Sequence, residues 1–134
     1  HSFDHIKYYE YIEDVLKELH KKEIKLAVVT NKFDAAAQEI INKYFPGIFD
    51  VVLGETKELN RKPHPDMCNY VLQKLKVSST EALYVGDSEV DILTANNANL
   101  KCISCSWGFR TKDELLSSGA NIIIDNPFDI IKYL

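Results

Sequence analysis

The sequence predicts an α/β domain built around a mainly parallel sheet. Segments with a helical apolar period alternate with short, continuous apolar runs along almost the whole chain. The runs lack the in–out alternation of a half-exposed strand, so their strands are covered on both faces. The 134 residues give room for one such domain and not for two.

Each element has its own signal. Tyr8, Tyr11, Ile12, Val15, Leu16 and Leu19 share one helical stripe, and the cations of His20-Lys21-Lys22 suit the helix's negative end. Leu26–Thr30 is the first strand. A helix follows from about Asp34, with Ala37, Ile40, Ile41 and Tyr44 on one stripe, and Phe45-Pro46-Gly47 ends it. Val51–Leu53 is the second strand and Glu55–Arg61 a polar loop. Pro65 opens a helix that carries Cys68, Val71, Leu72 and Leu75. Ala82–Val85 is the third strand, with a helix through Ile92, Ala95 and Ala98 behind it. Ile103–Trp107 is the fourth strand. Thr111 and Glu114 form a capping box, and Gly119 closes that helix. Ile122–Ile124 is the fifth strand, and Asn126-Pro127 caps a last helix.

Composition narrows the function. Hydrophobic residues make up 46% and charged residues 27%, a globular balance that argues against disorder. Apolar runs fall far short of the roughly 20 residues of a membrane span, and no signal-peptide pattern opens the chain. The net charge is −4, with no Lys/Arg block to grip a phosphate backbone, so neither nucleic acid nor a membrane is an expected partner. Three cysteines, an odd number, point to a reducing compartment, and no Asn-x-Ser/Thr acceptor occurs. A cytoplasmic location is the expectation. Cys102 and Cys105 form a C-x-x-C, but three residues apart on a strand they face opposite ways and read as ordinary strand cysteines. His1, His5 and His20 read as surface residues, and His64, between two prolines, as part of a turn.

In open parallel sheets ligands bind beyond the carboxyl ends of the strands. Three polar segments converge there: Thr30-Asn31-Lys32, Arg61-Lys62-Pro63-His64-Pro65-Asp66, and Gly86-Asp87-Ser88-Glu89-Val90-Asp91. With a helix beginning near Ser88, Asp87 and Asp91 lie one turn apart and face one way, a pair of hard oxygen ligands suited to Mg²⁺. The plainer reading makes Asp87 an N-cap and Asp91 a solvated first-turn acid. Lys62 precedes a proline, so its side chain is aimed from a stiff, extended loop and could neutralise a phosphoryl group; a solvated loop lysine is the plainer reading. The Thr30 hydroxyl and the N–H that follows it could hold a phosphate oxygen, or Thr30 could simply cap a helix.

In this order, the three segments resemble the second, third and fourth motifs of the haloacid dehalogenase superfamily of phosphatases. Ser106-Trp107-Gly108-Phe109-Arg110, followed by Asp113-Glu114-Leu115, is similar to phosphoglycolate phosphatases in particular. The resemblance implies a Rossmann-like three-layer domain and Mg²⁺-dependent transfer of a phosphoryl group through an aspartyl-phosphate. It implies that Asp87 and Asp91 serve the metal, the latter directly or through water. It also implies that Thr30 and the Asn31 backbone hold the phosphoryl group while Lys62 offsets its charge, and that the substrate is a small phosphomonoester.

One departure bears on activity. The family opens with D-x-D-G-T on a strand that supplies the nucleophile and the acid/base, and no D-x-D-G occurs in this sequence. By resemblance, residues 1–134 form a single incomplete core domain without the central first strand and the cap. The gap lies between the strands ending at Thr30 and Asp87, to be closed directly or filled by another copy through self-association. The chain itself is then expected to lack catalysis. Tyr11, Glu23 and Asn99 stand where the family often has glycine. The competing functions are a phosphate- or metal-binding module without chemistry and a receiver-like signalling domain.

Overall fold

A computed structural model describes residues 2–108 and 110–134, with the backbone alone over 2–10. The elements follow the expected alternation: α1 (Ser2–Lys21), β1 (Ala27–Phe33), α2 (Asp34–Tyr44), β2 (Val51–Glu55), α3 (Asp66–Leu75), β3 (Leu83–Gly86), α4 (Glu89–Asn97), β4 (Lys101–Cys105), α5 (Lys112–Ser117) and β5 (Ile123–Ile124). Short 3₁₀ segments cover Ser79–Glu81 and Pro127–Tyr133, the second being the last helix expected there, capped by Asn126 and of the 3₁₀ kind. The fourth strand stops at Cys105, two residues earlier than expected, because Ser106 and Trp107 already turn toward α5. His1 and Phe109 lie outside the described residues, as does the side chain of His5; His20 is exposed.

Every strand pairing is parallel. β1 pairs with β2, matching Ala27 to Val51 and Val29 to Leu53. β4 pairs with β3 on one side, matching Val85 to Ile103, and with β5 on the other. Among the described residues these pairings make two sheets and not one, of order β1-β2 and β3-β4-β5. Each has its own apolar cluster. Leu53, Met67 and Val71 pack against β1 and β2, and Ile103, Cys105 and Ile124 pack on the β3 side. Between the halves runs a cleft of about 740 Å³, bordered by β1 and β3 and roofed by α1 side chains such as Val15 and Leu19. The halves therefore do not close on each other, which removes direct closure as the answer to the expected gap.

Helix ends are closed by a repeated device. Glu23, Lys76 and Asn99 adopt left-handed backbone (φ 63°, 59° and 58°) just past α1, α3 and α4. The next residue's N–H then reaches back five positions, as from Ile24 to the Leu19 carbonyl at 3.1 Å and from Leu100 to Ala95 at 2.8 Å. Thr111 caps α5 with the expected reciprocal box to Glu114. α1 meets the C-terminal segment through the tilted rings of Tyr11 and Phe128, 5.8 Å apart. No helix is long and apolar enough to cross a membrane among the described residues.

Candidate active site

The ends of β1 and β3 and the loop before α3 meet at one mouth of the cleft. Thr30, Asn31 and Lys32 lie within β1, which runs on to Phe33 before α2 begins, so Thr30 is not a helix cap. Its hydroxyl oxygen accepts a hydrogen bond from the Lys32 N–H at 3.2 Å. The Asn31 side chain does what its backbone cannot. Its amide donates to the Lys62 carbonyl at 3.1 Å and its oxygen accepts from the Lys62 N–H at 2.9 Å. This two-point clasp ties the Arg61–Pro65 loop to the end of β1 and delivers Lys62 into the cleft; the Lys62–Pro63 peptide bond is cis. His64 belongs to the turn, as its position between prolines suggests: its Nδ1 accepts from the Asp66 N–H.

The Lys62 ammonium, on a side chain 11% exposed, lies 2.8 Å from Asp91 Oδ1 and 2.8 Å from the Tyr84 hydroxyl. Tyr84 in turn donates to the same Asp91 oxygen at 2.7 Å. The other Asp91 oxygen accepts from the Asp87 N–H at 3.0 Å and from Ser88 Oγ at 3.1 Å. A carboxylate offers about four acceptor positions, and Asp91 has a protein donor for each. Burial would raise its pKa, but the bonds from Lys62 and Tyr84 hold it below its ordinary value. Burial and the Asp91 carboxylate together push the Tyr84 hydroxyl up.

Asp87 stands differently. Ser88 is the N-cap of α4, so Asp87 lies just ahead of the helix and is not the cap that the plainer reading made it. Its carboxyl is raised above the ordinary value by burial and by Asp91. No side chain among the described residues donates a hydrogen bond to it. Two glycines shape this corner. A Cβ at Gly86 would overlap the Asp91 side chain, and one at Gly108 would overlap the Asp87 carboxylate, so glycine lets α4 lie close against β3 and the turn after β4 lie close against Asp87. The expected pair of carboxylates is thus brought together but in two states: Asp91 is saturated by protein donors, and Asp87 is a half-buried acceptor with no donor side chain among the described residues. Among the described residues no cluster of three or more His, Cys, Asp or Glu side chains forms.

Two features escaped sequence reasoning. Tyr84 reads in the sequence as one more apolar strand residue, and only its place two residues before Gly86, on the same face, hints at the site. The second is the Arg110–Glu89 fork, at 2.8 and 3.1 Å, which bridges the turn after β4 to the first turn of α4. That bond holds the Glu89 carboxyl down at about 2. The thiols are not poised for chemistry: burial pushes Cys68 up to about 11 and Cys105 up to about 12.

Residues 1–105 match the family model described as haloacid dehalogenase-like hydrolase. A phosphoglycolate phosphatase of Vibrio vulnificus is 32% identical over 129 residues, covering 94% of this chain and 55% of that protein. Among solved structures, a protein of Lactobacillus delbrueckii subsp. bulgaricus assigned as a phosphoglycolate phosphatase superimposes with a TM-score of 0.89 at 41% identity, over 92% of this chain and 52% of the other. CbbY of Rhodobacter sphaeroides, solved with xylulose 1,5-bisphosphate, matches at a TM-score of 0.72 and 29% identity, over 85% of this chain and 52% of the other. The chain spans about half the length of the relatives it matches.

Proposed function

This chain belongs to the haloacid dehalogenase-like hydrolase family, and from that premise we propose that it is the C-terminal part of the core of a phosphomonoester hydrolase. The substrate is a small phosphorylated metabolite of the phosphoglycolate kind, the class named for several relatives. The observation that carries the reading is the Lys62–Asp91 contact beside Asp87 at the mouth of the cleft, with Asn31 clasping the Lys62 loop and Thr30 next to Asn31 on β1. The Thr30 hydroxyl and the Asn31 N–H bind phosphoryl oxygens. Lys62 offsets the negative charge gathered there.

Mg²⁺ fits Asp87, an oxygen donor whose raised pKa reflects a buried charge that a cation would relieve. Asp91, its acceptor positions taken by Lys62, Tyr84, Ser88 and the Asp87 N–H, would reach the ion only by giving up one of these donors, and it serves Lys62 directly. When bound, the ion supplies charge neutralisation for the phosphoryl group.

Neither aspartate is left over to attack phosphorus. The nucleophile therefore comes from a segment outside residues 1–134, and the cleft between β1 and β3 is where that segment lies. Without it, the two free strand edges are templates for pairing with a second copy.

The test is to assay the chain alone and mixed with the complementary N-terminal part, using Mg²⁺ and phosphoglycolate or p-nitrophenyl phosphate. The chain alone stays inactive. The mixture turns over, and Asp87→Ala or Lys62→Ala in this chain abolishes that turnover. A stable complex with no turnover of either substrate would overturn the reading.

A further inference from the structure

We propose that Tyr84 is a positioning residue for Lys62: its hydroxyl fixes the direction in which the Lys62 ammonium offers its third N–H, the one whose only protein acceptor among the described residues is distant. An ammonium has three donors. Two are committed, to the Tyr84 oxygen and to Asp91 Oδ1, each at 2.8 Å. The two acceptors are themselves bonded at 2.7 Å, which closes a three-membered ring of hydrogen bonds. Held at two points, the ammonium cannot spin about its Cε–Nζ bond. Its third N–H is left toward the end of β1, where the Val29 carbonyl at 3.5 Å is too far for a strong bond. That is the side on which Thr30 and Asn31 stand.

Asp91 alone would not do this. One carboxylate oxygen opposite a lysine restrains position but leaves rotation free, because the ammonium behaves as a compact point charge on a flexible stem. Tyr84 supplies the second fixed point. Its one proton is spent on Asp91, so its oxygen faces Lys62 as an acceptor and cannot trade roles. A phenylalanine would fill the same space on β3, so the hydroxyl is the informative atom. Only the purpose of the aimed N–H, to meet a phosphoryl oxygen, rests on the function proposed above.

The experiment reads the lysine directly, without hydrolysis. Ammonium groups open to water exchange protons too fast to give a ¹H–¹⁵N correlation, and a held one gives a signal. In the ¹⁵N-labelled 134-residue chain, one such signal should vanish in Lys62→Arg and so belong to Lys62. In Tyr84→Phe, with the backbone amide spectrum otherwise retained, its exchange with water should rise at least tenfold or the signal should be lost. An unchanged signal and rate would overturn the proposal. Should Tyr84→Phe fail to fold, 3-fluorotyrosine in place of all seven tyrosines keeps the ring shape and weakens the hydroxyl as an acceptor. Exchange at Lys62 must then rise, and a constant rate overturns the proposal equally. In the reassembled enzyme, Tyr84→Phe should lower kcat about tenfold with KM unchanged; a wild-type assembly without activity would sink the phosphatase reading and leave the lysine result to decide Tyr84.

Discussion

Lys62 and Asp91, 29 residues apart in sequence, meet at 2.8 Å with side chains only 11% and 12% exposed. Nothing local brings them together. Asn31 clasps the loop that carries Lys62, and Gly86 leaves the room beside β3 that Asp91 occupies. The contact is therefore a joint between the two sheets, made at the mouth of a cleft where the strands themselves do not pair.

A pair this buried is costly to break from one side. Lys62→Met should destabilise the chain by about 3–5 kcal/mol, because it leaves the Asp91 charge in place without its partner. Asp91→Asn should cost somewhat less, since an amide still accepts from Tyr84. The double variant should cost clearly less than the sum of the two. Urea unfolding at neutral pH measures all three, and additivity within about 0.5 kcal/mol would show that the pair is not coupled.

The same carboxylate makes stability depend on pH in a defined direction. Asp91's folded pKa lies below its ordinary value of 3.8. Its contribution is therefore complete above about 3.8 and is lost as the pH falls through the lower folded value. The stability gap between the wild-type chain and Asp91→Asn should be full at neutral pH and should narrow below 3.8. A gap that stayed constant from pH 7 to pH 3 would contradict this.

Much of the fold is legible in sequence because each element carries a local signal. The parallel strands show as unalternating apolar runs, and the Thr111–Glu114 box marks a helix start by itself. The site is legible only in outline. Thr30 lies in the last half of β1, Asp87 just after β3, Lys62 in the loop before α3 and Asp91 in the first turn of α4, places that sequence can locate. What each side chain bonds to is set by contacts across many residues. Tyr84 passes for core until Lys62 arrives from 22 positions upstream, and Asn31's side chain matters through a loop 31 positions downstream.

Of the three positions where the family resemblance leads one to expect glycine, two have left-handed backbone. Glu23 and Asn99 sit at φ 63° and 58°, closing α1 and α4, whereas Tyr11 lies inside α1. An ordinary side chain in left-handed geometry costs roughly 1–2 kcal/mol, and asparagine less. Glu23→Gly should therefore stabilise the chain by about 1 kcal/mol, Asn99→Gly by only a few tenths, and Tyr11→Gly should destabilise it. Thermal unfolding of the three variants checks the order, and a loss of stability in Glu23→Gly would count against the cap geometry.

The cleft makes the last prediction. An apolar trench of about 740 Å³ between β1 and β3 leaves alternate backbone groups of both strands without ladder partners. Apolar surface open to water recruits apolar probes, and unpaired strand amides exchange their hydrogens readily. The free chain should therefore brighten an anilinonaphthalene sulfonate dye. Cleft-facing amides within Val28–Thr30 and Leu83–Gly86 should exchange faster than those within β4, which is paired on both sides. Adding the complementary N-terminal part should release the dye and protect those same amides, because a strand entering parallel to both neighbours would complete two ladders at once. Burial at about 25 cal/mol per Å² favours the union, against roughly 4–15 kcal/mol for joining two bodies, so the dissociation constant should respond to single cleft substitutions. Val28→Asp should weaken assembly and leave the Lys62–Asp91 joint intact. Amides of β1 and β3 already protected in the free chain at low micromolar concentration would mean that a second copy fills the cleft, and loss of that protection on dilution would identify it.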